Sequence, residues 1–455
     1  MSRDFIRAIL YLFIVVFALV VHNPYLNAVL FLAMIYFDKG MILPTLILVP
    51  IIEAAYPKGT LTLEFLIVLG LIPIIIRDVL LKKSGLRLFS SDTTSIFLGF
   101  TALLILGFIV VLTSYGGSID LGATLGNVTI KLFKLTMFLL IGLLLLNTDR
   151  SKFNRGMDFI VNYNATISLL ILAYIIFYGS KKASGLLNFG DSSHGEFTAC
   201  IVALASFNFI SIPLDKSRVG KLWRLLGIGA TLAIVFLTGS RNGLVSFIFI
   251  IGIYIVLSYR DQIVLMSMGV LSSIFISIML FFGGVFEIEY DGFNRKYNKL
   301  SKDKESSEVS ALAEASTGRT ILWVTGVKGF LESPLIGKGG DEKVTREYME
   351  NQVNISNIAH NTPIEVAIQY GIIGVFFYFR MIWLVFKRIL QYDSSRLGVK
   401  AVYLMPFFAF LSLVFSSQFI SWIWGSLYWY LFIISMVIVE RKYIEEEPNQ
   451  EYELS

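Results

Sequence analysis

Apolar residues run along this chain in long blocks separated by short polar punctuation. The blocks read as fourteen candidate membrane spans: residues 5–21, 25–37, 41–56, 61–80, 93–115, 128–147, 159–178, 195–212, 225–238, 243–259, 262–283, 363–386, 401–419 and 425–440. Most reach the roughly 17–25 residues that a helix needs to cross a bilayer. The blocks at 25–37, 41–56 and 225–238 are shorter and read as tilted, broken or re-entrant segments. The first block follows Arg3 and Arg7. No small-x-small cleavage site follows it, because His22-Asn23-Pro24 opens a turn, so it reads as a retained span. The pattern predicts an all-α fold, a polytopic transmembrane helical bundle of about 12–14 spans. Its parts are a bundle over 1–283 with about eleven spans, a long extracytoplasmic loop over 284–362 carrying amphipathic helices, C-terminal spans over 363–440 and a tail over 441–455.

Composition agrees. The 455 residues are 56% hydrophobic and 16% charged, with a mean hydropathy of +0.73; a soluble chain carries about a quarter charged residues. The net charge of +5 is not the footprint of nucleic-acid binding. Its lysines and arginines sit in short segments between apolar blocks, where they report topology. With the N-terminus inside, the inner segments hold most of them, among them Arg77, Lys82, Lys83, Arg150, Lys152, Lys387 and Arg388. The short outer loops hold Lys58, Lys181, Lys182 and Arg241. Both termini are therefore expected in the cytoplasm. The single cysteine, Cys200, lies in an apolar block and reads as a small buried hydrophobe. Lys131, Lys134, Glu53 and Glu64, near the ends of their blocks, are expected to snorkel.

Arg241 breaks this pattern. Residues 225–259 contain no other charged side chain. A continuous helix of that length would measure about 52 Å against a hydrocarbon core of about 30 Å. The run must fold back, and "TGSRNG" supplies the break. An arginine snorkelling to the interface at a plain hairpin accounts for Arg241. So does an anion site in which small neighbours such as Ser240 let the backbone come close and the guanidinium fork meets phosphate oxygens.

Two more stretches on the same side of the membrane matter. "STGRTILW" places Gly318 and Arg319 at the start of a helix that Pro334 stops, spaced to lie on the outer interface. "IAHNTPIEVAIQYGIIG" places His360 and Asn361 at the mouth of the span that begins at Pro363. A loop arginine and a helix-capping histidine are ordinary features taken singly.

Together, over about residues 225–379, the arginine turn, the "TGR" and tryptophan, "SPLIGKGG" and "HN" followed by "QYGIIG" resemble the bacterial O-antigen polymerase and O-antigen ligase superfamily. "LNFGDSSHGEF" at 187–197 resembles an earlier segment of that family more loosely. The chain departs from the pattern at Gln369, where glutamate is frequent, and at His194, where asparagine is common. The resemblance implies a multi-pass glycosyltransferase of the bacterial inner membrane. Its donor would be an oligosaccharide on undecaprenyl pyrophosphate, which is a substrate carrier and not a cofactor. The acceptor would be a second lipid-linked unit (polymerase) or a lipid-A core (ligase). Membrane lipid, a chain-length regulator and a flippase are the implied partners; nucleic acid is not.

Departure of pyrophosphate from an anomeric carbon needs fixed positive charge. No DxD pair or histidine–carboxylate cluster offers a metal site in the outer segments, and Glu287 with Glu289 reads as a solvated pair. No cofactor and no metal are expected. Arg241 and Arg319 are assigned to the pyrophosphate, with Ser240, Gly318 and Asn361 beside it. His360 either orients and deprotonates the acceptor hydroxyl or makes a third phosphate contact. With no serine or cysteine nucleophile beside a base, direct inverting transfer is expected. Two other classes stay open: a polysaccharide or lipid transporter, and a scaffold without chemistry. The aromatic run 421–432 reads as an interfacial belt.

Overall fold

The computed structural model describes residues 3–53, 62–81, 85–115, 121–178, 180–181, 187–188, 194–212, 217–238, 241–258, 319–353, 358–390, 397–417 and 424–441. They fold as helices: α1 (Arg3–Val20), α2 (Pro24–Phe37), α3 (Ile42–Glu53), α4 (Leu63–Ile75), α5 (Ser91–Tyr115), α6 (Leu121–Asn147), α7 (Arg150–Tyr178), α8 (His194–Ser211), α9 (Arg218–Leu237), α10 (Arg241–Ser258), α11 (Arg319–Glu332), α12 (Glu342–Val353), α13 (Thr362–Leu390), α14 (Leu397–Ser416) and α15 (Ser426–Glu440). Five of them are long and apolar enough to cross a membrane: Ser91–Ser114, Gly122–Asn147, Arg150–Phe177, Arg218–Leu237 and Thr362–Lys387. The candidate span 262–283, the polar stretch 301–307, Glu287, Glu289 and the acidic tail lie outside the described residues.

Local chemistry sets the helix ends. Asn23 caps α2, its side chain accepting from the Leu26 amide, with Pro24 at the first helical position. Pro73 sits near the end of α4, which runs on as a π-helical turn over Ile76–Leu80. Thr238 closes α9 and α10 opens at Arg241, so the fold-back falls at the expected place. The block at 225–238 is not short, however. Its helix starts at Arg218, and Arg224, expected in an inner loop, is buried and donates to the Val161 carbonyl of α7. The all-helical plan has one small exception, a two-residue antiparallel pair in which Ser180 faces Asn188 and Lys181 faces Leu187.

Helices α3 and α15 are among the most buried. Leu43, Leu46, Ile47, Leu48, Val49 and Ile51 of the first and residues 426–438 of the second are almost entirely covered. A helix that is apolar all round belongs inside a protein or a membrane, and these two are wrapped by protein. This corrects the reading of 421–432 as an interfacial belt. Tyr428, Trp429, Tyr430 and Phe432 are core residues, with Trp429 stacked on Phe138 at 5.9 Å and edge-on to Phe100 at 5.3 Å; residues 421–423 lie outside the described set. Cys200 is buried, as expected. Outward faces of α1, α2, α5, α9 and α13 expose Phe13, Phe37, Leu98, Val219 and Phe376 in the manner of lipid-facing surfaces. Inside, the packing of α7 against α8 includes polar contacts: Asn164 Nδ2 donates to the Leu204 carbonyl at 2.9 Å and Asn208 Nδ2 to Ser168 Oγ at 3.3 Å.

Two sets of contacts mark the two ends of the bundle. At the first, Asp38 Oδ2 meets Arg155 at 2.7 Å and Arg7 at 3.3 Å, Lys39 pairs with Asp78, Arg380 pairs with Asp92 at 2.8 Å, and Arg441 Nη2 donates to the carbonyls of Leu145 and Leu146. At the second, Lys131 Nζ donates to the Gly340 carbonyl at 3.0 Å, the Thr362 amide to the Ser417 carbonyl at 2.8 Å, and the hydroxyls of Ser246 and Ser416 lie 2.6 Å apart. Along α6, Lys131 and Asn147 are separated by about 24 Å of helix rise. Among the described residues, Arg7, Lys39, Arg155 and Arg441, from segments read as inner, thus gather at one end and the loop helices at the other.

Candidate functional site

The second end holds the elements that carry the sequence-predicted residues. Arg241 and Arg319 are the first residues of α10 and α11; only their helix positions are described, and their side chains lie outside the described set, as do Ser240 and Gly318 altogether. His360 and Asn361 immediately precede α13. The C-terminal turn of α14 joins two of these starts. Ser416 meets Ser246, five residues into α10, and Ser417 receives the Thr362 amide. The third start arrives through a small apolar cluster of Leu322, Met349, Ala359 and Ile368. Leu322 is one turn from Arg319, and Ala359 directly precedes His360. Close approach of α11 to α13 depends on Gly326, where a Cβ would stand 2.5 Å from Ile364 Cγ2. The helix starts of Arg241, Arg319 and His360 therefore converge within about two helical turns of shared contacts.

His360 has φ of 50°, among the described residues the one non-glycine in the left-handed region. Histidine enters that region more readily than most residues, but bulky side chains there signal a constraint. The constraint is visible on both sides. Asn361 Oδ1 accepts from the Ile364 amide at 3.1 Å, capping α13, and Thr362 is tied to Ser417. Before it, the Ala359 amide donates to Glu365 Oε2 at 3.1 Å, while Gln369 Nε2 donates to Glu365 Oε1 at 2.7 Å. Glu365 and Gln369 are both buried. Gln369 thus fixes a carboxylate one turn earlier, and that carboxylate fixes the turn bearing His360. Sequence reading missed Glu365; its signal was a lone acid four residues before Gln369 on the apolar helix.

Segment 333–340 seats against a break in α13. Gly371 has φ of 63°, and a Cβ there would lie 2.4 Å from the Leu335 carbonyl, so glycine is required twice over. The break frees backbone groups, and the loop takes them. The Lys338 amide donates to the Ile368 carbonyl at 2.7 Å, the Gly339 amide to the Gln369 carbonyl at 3.2 Å, and the Ile372 amide to the Pro334 carbonyl at 2.8 Å. The two family-like stretches "SPLIGKGG" and "QYGIIG" are therefore one junction.

Helix α11 ends before Pro334, as expected, but its expected face is divided. Leu322 packs on α13, whereas Val324, Val327 and Leu331 are exposed and continue into Leu335 and Ile336. The outer apolar stripe suits a membrane interface. Helix α12 was not read from the sequence. It is held to the end of α11 by Glu332, which accepts from Lys338 Nζ at 2.7 Å and Tyr348 OH at 2.9 Å. The hydrogen bond from Lys338, then that from Tyr348, holds the Glu332 carboxyl below the usual carboxylate range.

Lys131 does not snorkel. It reaches inward to Gly340 and stands 5.4 Å from the Trp424 ring. Glu64 accepts from Tyr430 OH at 2.8 Å and Glu53 from the Glu64 amide at 2.8 Å, so neither of these acids reaches for the interface. Among the described residues no three His, Cys, Asp or Glu side chains sit together as metal ligands.

Helices that cross a membrane, one end tied by ion pairs and the other built from loop helices around a strained histidine, define a polytopic membrane protein with a site at one end of its bundle. Residues 226–379 match the family model described as O-antigen ligase, which supports the resemblance to the O-antigen polymerase and ligase superfamily over that stretch. The match runs from within α9 to within α13. No curated protein matches the chain.

Proposed function

We propose that this protein is a polysaccharide polymerase that moves a glycan from undecaprenyl pyrophosphate to a lipid-linked acceptor unit at the outer face of the bacterial inner membrane. The observation that carries the reading is the meeting of three helix starts, those of Arg241, Arg319 and His360, within the stretch that matches the family. In the proposed reaction the acceptor hydroxyl oxygen attacks the anomeric carbon from the face opposite the leaving group. The carbon–oxygen bond to phosphate breaks with its electron pair, and the configuration inverts. Arg241 and Arg319 neutralise the departing pyrophosphate, with Ser240, Gly318 and Asn361 lining it. His360 takes the hydroxyl proton, or holds a third phosphate oxygen. No metal takes part. A chain-length regulator and a flippase are the proposed partners.

The description of the matched family as O-antigen ligase favours a second reading, transfer to a lipid-A core. Acceptor omission separates the two. Purified protein given lipid-linked repeat units as its sole substrate lengthens glycan chains if it is a polymerase; no product until lipid-A core is added makes it a ligase. Movement of substrate across vesicles with no new glycosidic bond would replace both with transport. Turnover is expected to persist in EDTA, and inhibition reversed by one divalent ion would overturn the arginine account.

A further inference from the structure

A cavity of about 340 Å³ opens at the same end of the bundle, beside the contact of Lys131 with Gly340. Its walls are the first half of α6, the start of α12 and Trp424. Lys131 and Lys134 face it one turn apart on α6, and Lys343 and Arg346 one turn apart on α12. Asp341 and Glu342 are its acids, so bases outnumber acids four to two. A structural ion-pair network would balance its charges; this one leaves room for about two negative charges. The pairing within it is loose, with Arg346 standing 3.9 Å from Glu342. Asp341 Oδ1 accepts from the Lys343 amide at 3.0 Å, whereas its buried Oδ2 has no hydrogen-bond partner among the described residues. A buried acceptor without a donor is costly, and a sugar hydroxyl would supply one. Trp424, with Lys131 Nζ over its ring at 5.4 Å, adds to the wall an aromatic surface of the kind that sugar rings pack against. Ile130, also on the wall, is 57% exposed on the outward side of α6, so the cavity communicates with the lipid-facing surface.

Diphosphate charge, a sugar ring and a hydrocarbon tail are the three parts of a lipid-linked glycosyl diphosphate. We infer that this cavity holds the diphosphate and first sugar of the second lipid-linked substrate, the acceptor. The inference rests on the polymerase reading, in which the arginine turn holds the donor. Asn361 and Gln369 lie about 12 Å apart along α13, and the Gly339 amide bonded to Gln369 leads straight to Gly340 and Asp341. The two sites are thus separated by roughly the length of a short oligosaccharide, with the growing end of one substrate reaching the anomeric carbon of the other.

The test is calorimetric binding of farnesyl diphosphate to the full chain in detergent micelles, with and without phosphatidylglycerol. Wild type is expected to show two sites. Lys134→Gln combined with Arg346→Gln should weaken one at least tenfold, and Arg241→Ala should remove the other. Lys131 is left in place because it supports Gly340, and a single symmetric size-exclusion peak checks that each variant is folded. Two intact sites in the double variant overturn the acceptor cavity and leave the Arg241 reading standing. Two intact sites in Arg241→Ala overturn the donor assignment instead. Displacement of the Lys134/Arg346-dependent ligand by phosphatidylglycerol makes the cavity a phospholipid headgroup site, which also overturns the inference.

Discussion

The two ends of this bundle are built on opposite plans. At the first end, among the described residues, a set of charges has short, local answers. Asp38 is shared by Arg7 and Arg155 and also accepts the Gly40 amide at 2.9 Å. Asn147 bonds both the amide and the carbonyl of Arg87, at 2.9 Å each. At the second end basic side chains face a cavity, a histidine occupies a left-handed conformation, and a membrane helix is broken to receive a loop. Satisfied charges hold helices together; cationic side chains lining a cavity and a constrained histidine can hold a ligand. The difference marks one end as structural and, on the proposed reading, the other as the end where a ligand is held.

Substitutions at four positions can break that division. The largest effect is expected from Arg241→Ala or Arg319→Ala, each lowering turnover by roughly 10³-fold or more while the protein stays folded and membrane-inserted. Arg241→Lys should recover little, because lysine lacks the bidentate fork. Glycan length on a gel reads all three, and normal polymer from the alanine variants would end the anion-site account. Next, His360→Gly and His360→Asn both tolerate positive φ. Turnover should fall on the order of 10²-fold with an unchanged melting temperature; retained activity would reduce His360 to a capping residue. At the first end, Asp38→Asn should cost about 1–3 kcal/mol of stability by leaving two arginines short of a partner. Turnover per folded molecule should hold, and a specific loss of turnover would show that the two plans are not separate.

The smallest effect is a pH dependence at Glu332. Its folded carboxyl titrates below its unfolded value, so its contribution is present above the ordinary carboxylate range and is lost as pH falls through the lower folded value. Thermal melts in acid should show Glu332→Gln losing less stability than wild type over that window. Parallel acid profiles would remove Glu332 from the clamp between α11 and α12.

The all-helical class, the fold-back at Arg241 and the stop before Pro334 were legible because each is local: apolar blocks of membrane length, a break, a ring without an amide. That the helices starting at Arg241 and Arg319 and the turn bearing His360 share one end of the bundle was suggested by the family resemblance and the alternation of basic loops. What escaped depends on tertiary partners. Nothing in the apolar helix around Lys131 says that a glycine carbonyl waits 3.0 Å away, and hydropathy alone makes an inward lysine look like a snorkelling one. Aromatic residues near a span end look like an interfacial belt until α15 is seen to be wrapped by other helices. Glu365 and Gln369 acquire meaning only when Ala359 folds back over them.

One consequence follows from the break at Gly371. There, two neighbouring hydrogen bonds before the break and a third just after it tie the segment 334–339 to α13, so the two cannot slide independently. Any displacement of the segment from Ser333 to Gly340 would therefore be carried into α13 at its break.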